Sequence, residues 1–106
     1  MVEESGTALL WAAQRRHKQL VELLLRQMEV DANPTSLWGN TPLSYAAENG
    51  HEEAVGLLLR QNGVEINAED MWGQMPLFFA AQNGHEPVIR LLMAAGTLQL
   101  PPPMTS

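Results

Sequence analysis

The chain has 106 residues, 45% of them apolar, and a formal charge of −6, which suits one domain with a modest core and argues against disorder. Twelve acids against six bases make a nucleic-acid-binding surface a poor fit. There is no cysteine for a disulfide, thiolate metal site or nucleophile, no apolar run approaches the roughly 20 residues that span a bilayer, and the N-terminus MVEESGTALLW carries acids where a signal peptide needs bases, so the expected setting is reducing and intracellular.

The element boundaries follow from an internal repeat. His17, His51 and His85 recur at an interval of 34 residues. At that same offset Leu9, Leu43 and Leu77 coincide, as do Ala12-Ala13, Ala46-Ala47 and Ala80-Ala81, and Leu23-Leu24, Leu57-Leu58 and Leu91-Leu92. The second and third copies also share Trp38/Trp72, Gly39/Gly73, Pro42/Pro76, Asn49/Asn83 and Gly50/Gly84. A fixed period of this size means stacked supersecondary units. The expected division is 5–37, 38–71 and 72–97 for the three copies, and 98–106 for a Pro-rich flexible tail.

In chain order, the first copy is atypical. It lacks the proline of the other two, and Arg15-Arg16 stands where they have Asn-Gly. Arg16 must therefore take a left-handed conformation or change the turn. In the second copy, Thr41-Pro42 predicts a helix start, since the Thr hydroxyl can accept from a free N–H and proline has none to waste. Asn49-Gly50 predicts its end. At about 100° per residue, Leu43, Ala46 and Ala47 share one face, and the small alanines admit a close neighbour. A second helix begins at Glu52-Glu53, where acids favour the positive helix end. Its apolar residues, Ala54, Val55, Leu57, Leu58 and Leu59, cover roughly 200°, too wide for one neighbour. Gly56 inside it costs about 1 kcal/mol relative to Ala. Gln61-Asn62-Gly63 closes it, and 64–73 reads as polar, turn-rich and two-stranded at best. In the third copy Met75 replaces the capping Thr, a loss of ~1 kcal/mol. The tail, with Pro101, Pro102 and Pro103, cannot continue a helix and is expected to be extended or disordered.

The residues GNTPLSYAAENGHEEAVGLLLRQNGVEINAED (39–70), GQMPLFFAAQNGHEPVIRLL (73–92) and, more weakly, GTALLWAAQRRHKQLVELLLRQMEVDAN (6–33) resemble the ankyrin repeat. The Trp-Gly-X-X-Pro-Leu wording looks most like ankyrin arrays of filamentous fungi. The resemblance implies an all-α fold, an α-solenoid of paired antiparallel helices joined by short β-hairpin-like loops. The chain departs from the family after Thr-Pro-Leu, where Leu10, Ser44 and Phe78 replace the usual His.

The resemblance also implies a non-catalytic protein-binding adaptor. Its groove is formed by the hairpin tips and the exposed side of each first helix. Tyr45 falls about 200° from Leu43, opposite the packed face. With its equivalents it predicts an aromatic ladder, Trp11, Tyr45 and Phe79. Such a ladder either binds a partner or fills the gaps between first helices. The tips present Leu37, Trp38 and Asn40, then Met71, Trp72 and Gln74. Glu48, Asn49, Gln82 and Asn83 complete the family's variable contact positions, along with Gln14 and Arg15. Residues 38–71 hold six acids and one base, which favours a basic protein partner.

No cofactor, metal, membrane or nucleic-acid ligand is expected. Equivalent histidines one packing step apart, roughly 8–10 Å, cannot converge on a zinc ion that holds nitrogen at ~2.0–2.1 Å. Their expected role is a hydrogen bond to backbone in the turn between helices. Glu52-Glu53 reads as helix-start charge, and Ser44 has no evident base, so no catalytic set emerges. Two alternatives stay open. Leu20, Val21, Leu24, Leu91, Leu92 and Met93 lie in the end helices without polar masking. The first alternative is therefore a piece of a longer array, or a chain that self-associates end to end. An accessory or transcriptional coregulatory subunit would use the same surfaces.

Overall fold

The computed structural model describes residues 2–27, 33–61 and 63–99. Six helices occur in them and no strand: α1 (Val2–Gln14), α2 (Lys18–Gln27), α3 (Pro42–Glu48), α4 (Glu52–Leu59), α5 (Pro76–Gln82) and α6 (Glu86–Gln99). They pair as α1/α2, α3/α4 and α5/α6. The first helices of the pairs pack side by side in one row and the second helices in another. The result is elongated, 48 × 25 × 24 Å. It is the all-α stack of hairpins that the 34-residue period implies.

Local chemistry sets the short inner helices. Thr41 is extended (φ −93°, ψ 168°), its Oγ1 accepts from the Ser44 N–H at 3.2 Å, and Pro42 follows as the first helical residue. At the other end, the His51 N–H donates to the Ala46 carbonyl (2.9 Å) and the Gly50 N–H to Ala47 (3.2 Å), with Gly50 at φ 68°. This is a Schellman closure, which uses a left-handed residue to satisfy the last carbonyls. The same pair of bonds ends α5 through His85 and Gly84. Met75 makes no side-chain cap, as its thioether must; the Phe78 N–H bonds the Met75 carbonyl at 2.9 Å instead. Ser44, buried in place of the family's histidine, pairs with the Thr41 hydroxyl at 3.2 Å. In the first copy Arg16 does adopt φ 59°, the one non-glycine residue with positive φ among those described.

The core runs the length of the stack between the two rows. Leu9, Ala12, Ala13, Val21, Leu43, Ala46, Ala47, Val55 and Leu58 are all at most 1% exposed. Several expectations need correction. Residues 64–73 are not merely polar: Val64 and Ile66 are buried core members, because their alternation turns both side chains under the loop. Val21 and Leu92 are covered, so only part of the unmasked apolar set, notably Met93, faces solvent. Helix α1 begins at Val2, and α6 continues to Gln99, past the expected tail boundary at 98, because Ala94-Ala95 offers no stop like Gln61 and Gly63. The expectations for Asn62 and for 100–106 lie outside the described residues, as does the 28–32 part of the first copy.

Candidate functional site

The two hairpin tips are built alike. Ser36 and Asp70 occupy equivalent positions. Ser36 Oγ accepts from the Trp38 and Asn40 N–H groups at 3.2 Å each; Asp70 Oδ1 accepts from those of Trp72 and Gln74 at 2.9 Å each. Backbone bonds from Ser36 to Asn40 (2.9 Å) and from Asp70 to Gln74 (3.1 Å) close both loops. The tips are also joined to each other, since the Met71 N–H donates to the Trp38 carbonyl at 3.0 Å. Gly39 permits this approach: a Cβ there would lie 3.2 Å from Asp70 Cα. Two buried oxygens, Asn40 Oδ1 and Asp70 Oδ2, have no hydrogen-bond partner. The role of Ser36 and Asp70 escaped the sequence reading, although their 34-residue spacing ahead of Gly39 and Gly73 signals it.

On this frame the tip side chains point outward. Leu37 is 90% exposed, Trp38 54%, Met71 62% and Trp72 63%. Trp38 and Trp72 stack with ring centroids 5.9 Å apart. Asn40 and Gln74 are half-buried beside them. The result is a ridge of four large apolar side chains on loops whose backbone is held rigid from beneath.

The expected aromatic ladder is not one continuous stack. Trp11 is exposed, and Tyr45 and Phe79 are half-buried. Trp11 lies against the His17 ring (5.0 Å, 12° between planes), with the Arg15 guanidinium 5.2 Å from its centroid. Phe79 meets Phe78 edge-on at 5.5 Å. No ring pair joins Tyr45 to either among the described residues. Glu48, Asn49, Gln82 and Asn83 are exposed at the ends of α3 and α5, with Gln14 and Arg15 at the end of α1. The Asn49 amide bonds the Tyr45 carbonyl at 2.9 Å, and Asn83 Nδ2 reaches back to the Glu48 carbonyl at 3.0 Å.

The histidines do more than close their own turns. His51 Nδ1 donates to the Ala13 carbonyl and His85 Nε2 to the Glu48 carbonyl, both at 2.9 Å and both in the preceding copy. The expectation of a bond within the turn is corrected accordingly. The equivalent His17 ring stacks on Trp11. Burial holds the His51 imidazole below the usual histidine range; the bond to Ala13 opposes this, and the charges of Arg16 and His85 add to it. Among the described residues, no group of three or more His, Cys, Asp or Glu could hold a metal ion.

Between the first two turns lies an open depression of 410 Å³ lined by Arg16, Lys18, Gly50, His51, Glu52, Glu53 and Ala54. Its cations and carboxylates offset each other, and Lys18 pairs with Glu53 at 3.6 Å across it.

These features define a helical-hairpin solenoid with an exposed apolar ridge at its hairpin tips. The family model for ankyrin repeats, described as "Ankyrin repeats (3 copies)", matches residues 2–70, and that described as "Ankyrin repeat" matches 72–98. The chain belongs to the ankyrin-repeat family. The comparison with curated proteins returned no match. Ankyrin repeats are generally protein–protein interaction modules and typically non-catalytic. No helix among the described residues is long and apolar enough to cross a membrane.

Proposed function

We propose that this chain is a non-catalytic adaptor that binds a protein partner along its hairpin tips and the adjoining ends of α3 and α5. The observation that carries the reading is the exposure of Leu37, Trp38, Met71 and Trp72 on tips locked by Ser36, Asp70 and the Met71–Trp38 backbone bond. The fold gains little from such side chains in water, and rigid aromatic anchors are what binding hot spots use. Tyr45, Glu48, Asn49, Phe79, Gln82 and Asn83 extend the surface toward the inner row, and Trp11 extends it at the first repeat. The net charge of −5 over residues 38–71 favours a basic partner and an association rate that falls with salt. A chain without cysteine suits a reducing, intracellular setting for that encounter.

The test is affinity capture with the intact chain against a Trp38→Ala/Trp72→Ala variant, with bound proteins identified by mass spectrometry. Proteins retained by the parent and lost by the variant, at unchanged helix content, support the tips as the binding surface. An identical set of captured proteins removes the tips from the reading.

A further inference from the structure

Comparing one position across the three copies separates surfaces that stacking covers from surfaces it leaves bare. On the side that meets a following repeat, Leu43, Ser44 and Ala47 are buried. Their equivalents in the last copy are not: Leu77 is half-buried, Phe78 is 42% exposed and Ala81 is exposed. Met93, equivalent to the half-buried Leu59, is 56% exposed. Gly50 lies beneath the His85 ring, whereas nothing comes within 4 Å of where a Cβ on Gly84 would stand. On the side that meets a preceding repeat, the bare copy is the first. His51, Ala54 and Leu58 are buried; the equivalent His17 is exposed, and Leu20 and Leu24 are half-buried. Leu23, equivalent to half-buried Leu57 and Leu91, is 47% exposed. Helix α6 runs on to Gln99 instead of turning back, so no described residue covers the last face.

We propose that the bare face of the last repeat receives the bare face of the first repeat of a second copy of this chain, head to tail. The contact continues the interface already made twice inside the molecule. Leu20 and Leu24 take the places that Ala54 and Leu58, then Val88 and Leu92, hold against a preceding pair. His17 leaves Trp11, lies over Gly84 and donates to the Gln82 carbonyl, as His85 does over Gly50 to Glu48. Charge agrees with this orientation. At the first junction, Arg16 and Lys18 share a depression with residues 50–54. In the same register, Glu86 faces the Arg16 and Lys18 of the incoming copy, and opposite charges steer the encounter. Because the two faces differ, each added copy leaves one of each kind free, and because the contact repeats the small step between adjacent repeats, the row extends as an open superhelix.

Sedimentation velocity across a concentration series tests this with the intact chain and two variants on exposed positions, Ala81→Arg on the last face and Leu23→Glu on the first. The parent is expected to show an average mass that rises past twice 11.7 kDa without a plateau. Each variant alone stays monomeric at every concentration, with unchanged helix content. A mixture of the two forms a one-to-one dimer, because Ala81→Arg keeps a sound first face and Leu23→Glu a sound last face. A parent that stays monomeric at every concentration overturns the proposal. So does a parent that plateaus as a dimer abolished by one variant and untouched by the other, which is the pattern of a face pairing with itself.

Discussion

The two junctions inside this molecule place a histidine at the same position and use it differently. At the junction of the first and second repeats, His51 is buried and donates through Nδ1 to Ala13. At the next, His85 is half-buried and donates through Nε2 to Glu48, one position further along than the equivalent of Ala13. The difference traces to the left-handed residue of the preceding turn. That residue is Gly50 at the second junction, and a Cβ there would stand 2.6 Å from His85 Nδ1. At the first it is Arg16, which already carries a Cβ at φ 59°. A ring seated like that of His85 would collide with it, so His51 turns deeper and takes the earlier carbonyl. One substitution in a turn thus redirects a hydrogen bond that spans 38 residues of sequence, from His51 to Ala13.

The largest expected effect removes what the junctions share. Leu43→Ala should cost about 3 kcal/mol in denaturant unfolding, because Leu43 is enclosed by both neighbours. Leu77→Ala, at the half-covered end, should cost about half as much; equal losses would mean the copies do not stack as described. Next, Gly50→Arg imports the first junction's residue into the second. It should cost about 2 kcal/mol from left-handed strain and displacement of the His85 ring. A neutral result would break the comparison. Gly56→Ala should stabilise by about 1 kcal/mol, since Gly56 is helical and a Cβ there meets nothing within 4 Å. It touches neither junction and serves as a control for the other variants.

The smallest effect is a pH dependence. The folded His51 pKa is lowered, chiefly by burial, so the unfolded chain takes up its proton first as pH falls. The His51 contribution is full above the ordinary value of 6.5. It declines as pH drops through 6.5 toward the lowered folded value. Urea midpoints measured between pH 8 and pH 5 (roughly the range in which histidine titrates) should fall more steeply for the parent than for His51→Gln.

The stack was legible in the sequence because its determinants recur at identical spacing: Leu9/Leu43/Leu77, the paired alanines and the Asn-Gly stops. Arg16 was legible too, since a turn that needs a left-handed residue leaves a non-glycine few options. What escaped depended on distance. Nothing local to His51 shows that its acceptor is Ala13, and nothing local to Val64 and Ile66 distinguishes two buried side chains from an exposed loop. Trp38 and Trp72 were visible as a spaced pair. By contrast, no repeated spacing shows that the Arg15 guanidinium and the His17 ring lie against Trp11.

The most direct test of the account is the tautomer of each histidine, read from long-range nitrogen–proton NMR spectra of the intact chain at a pH where the rings are neutral. A carbonyl only accepts, so the ring nitrogen facing it must carry the proton. The predicted result is opposite tautomers, Nδ1–H for His51 and Nε2–H for His85. Finding both rings protonated on the same nitrogen would contradict the claim that each repeat is fastened to the one before it by a histidine whose orientation the preceding turn selects.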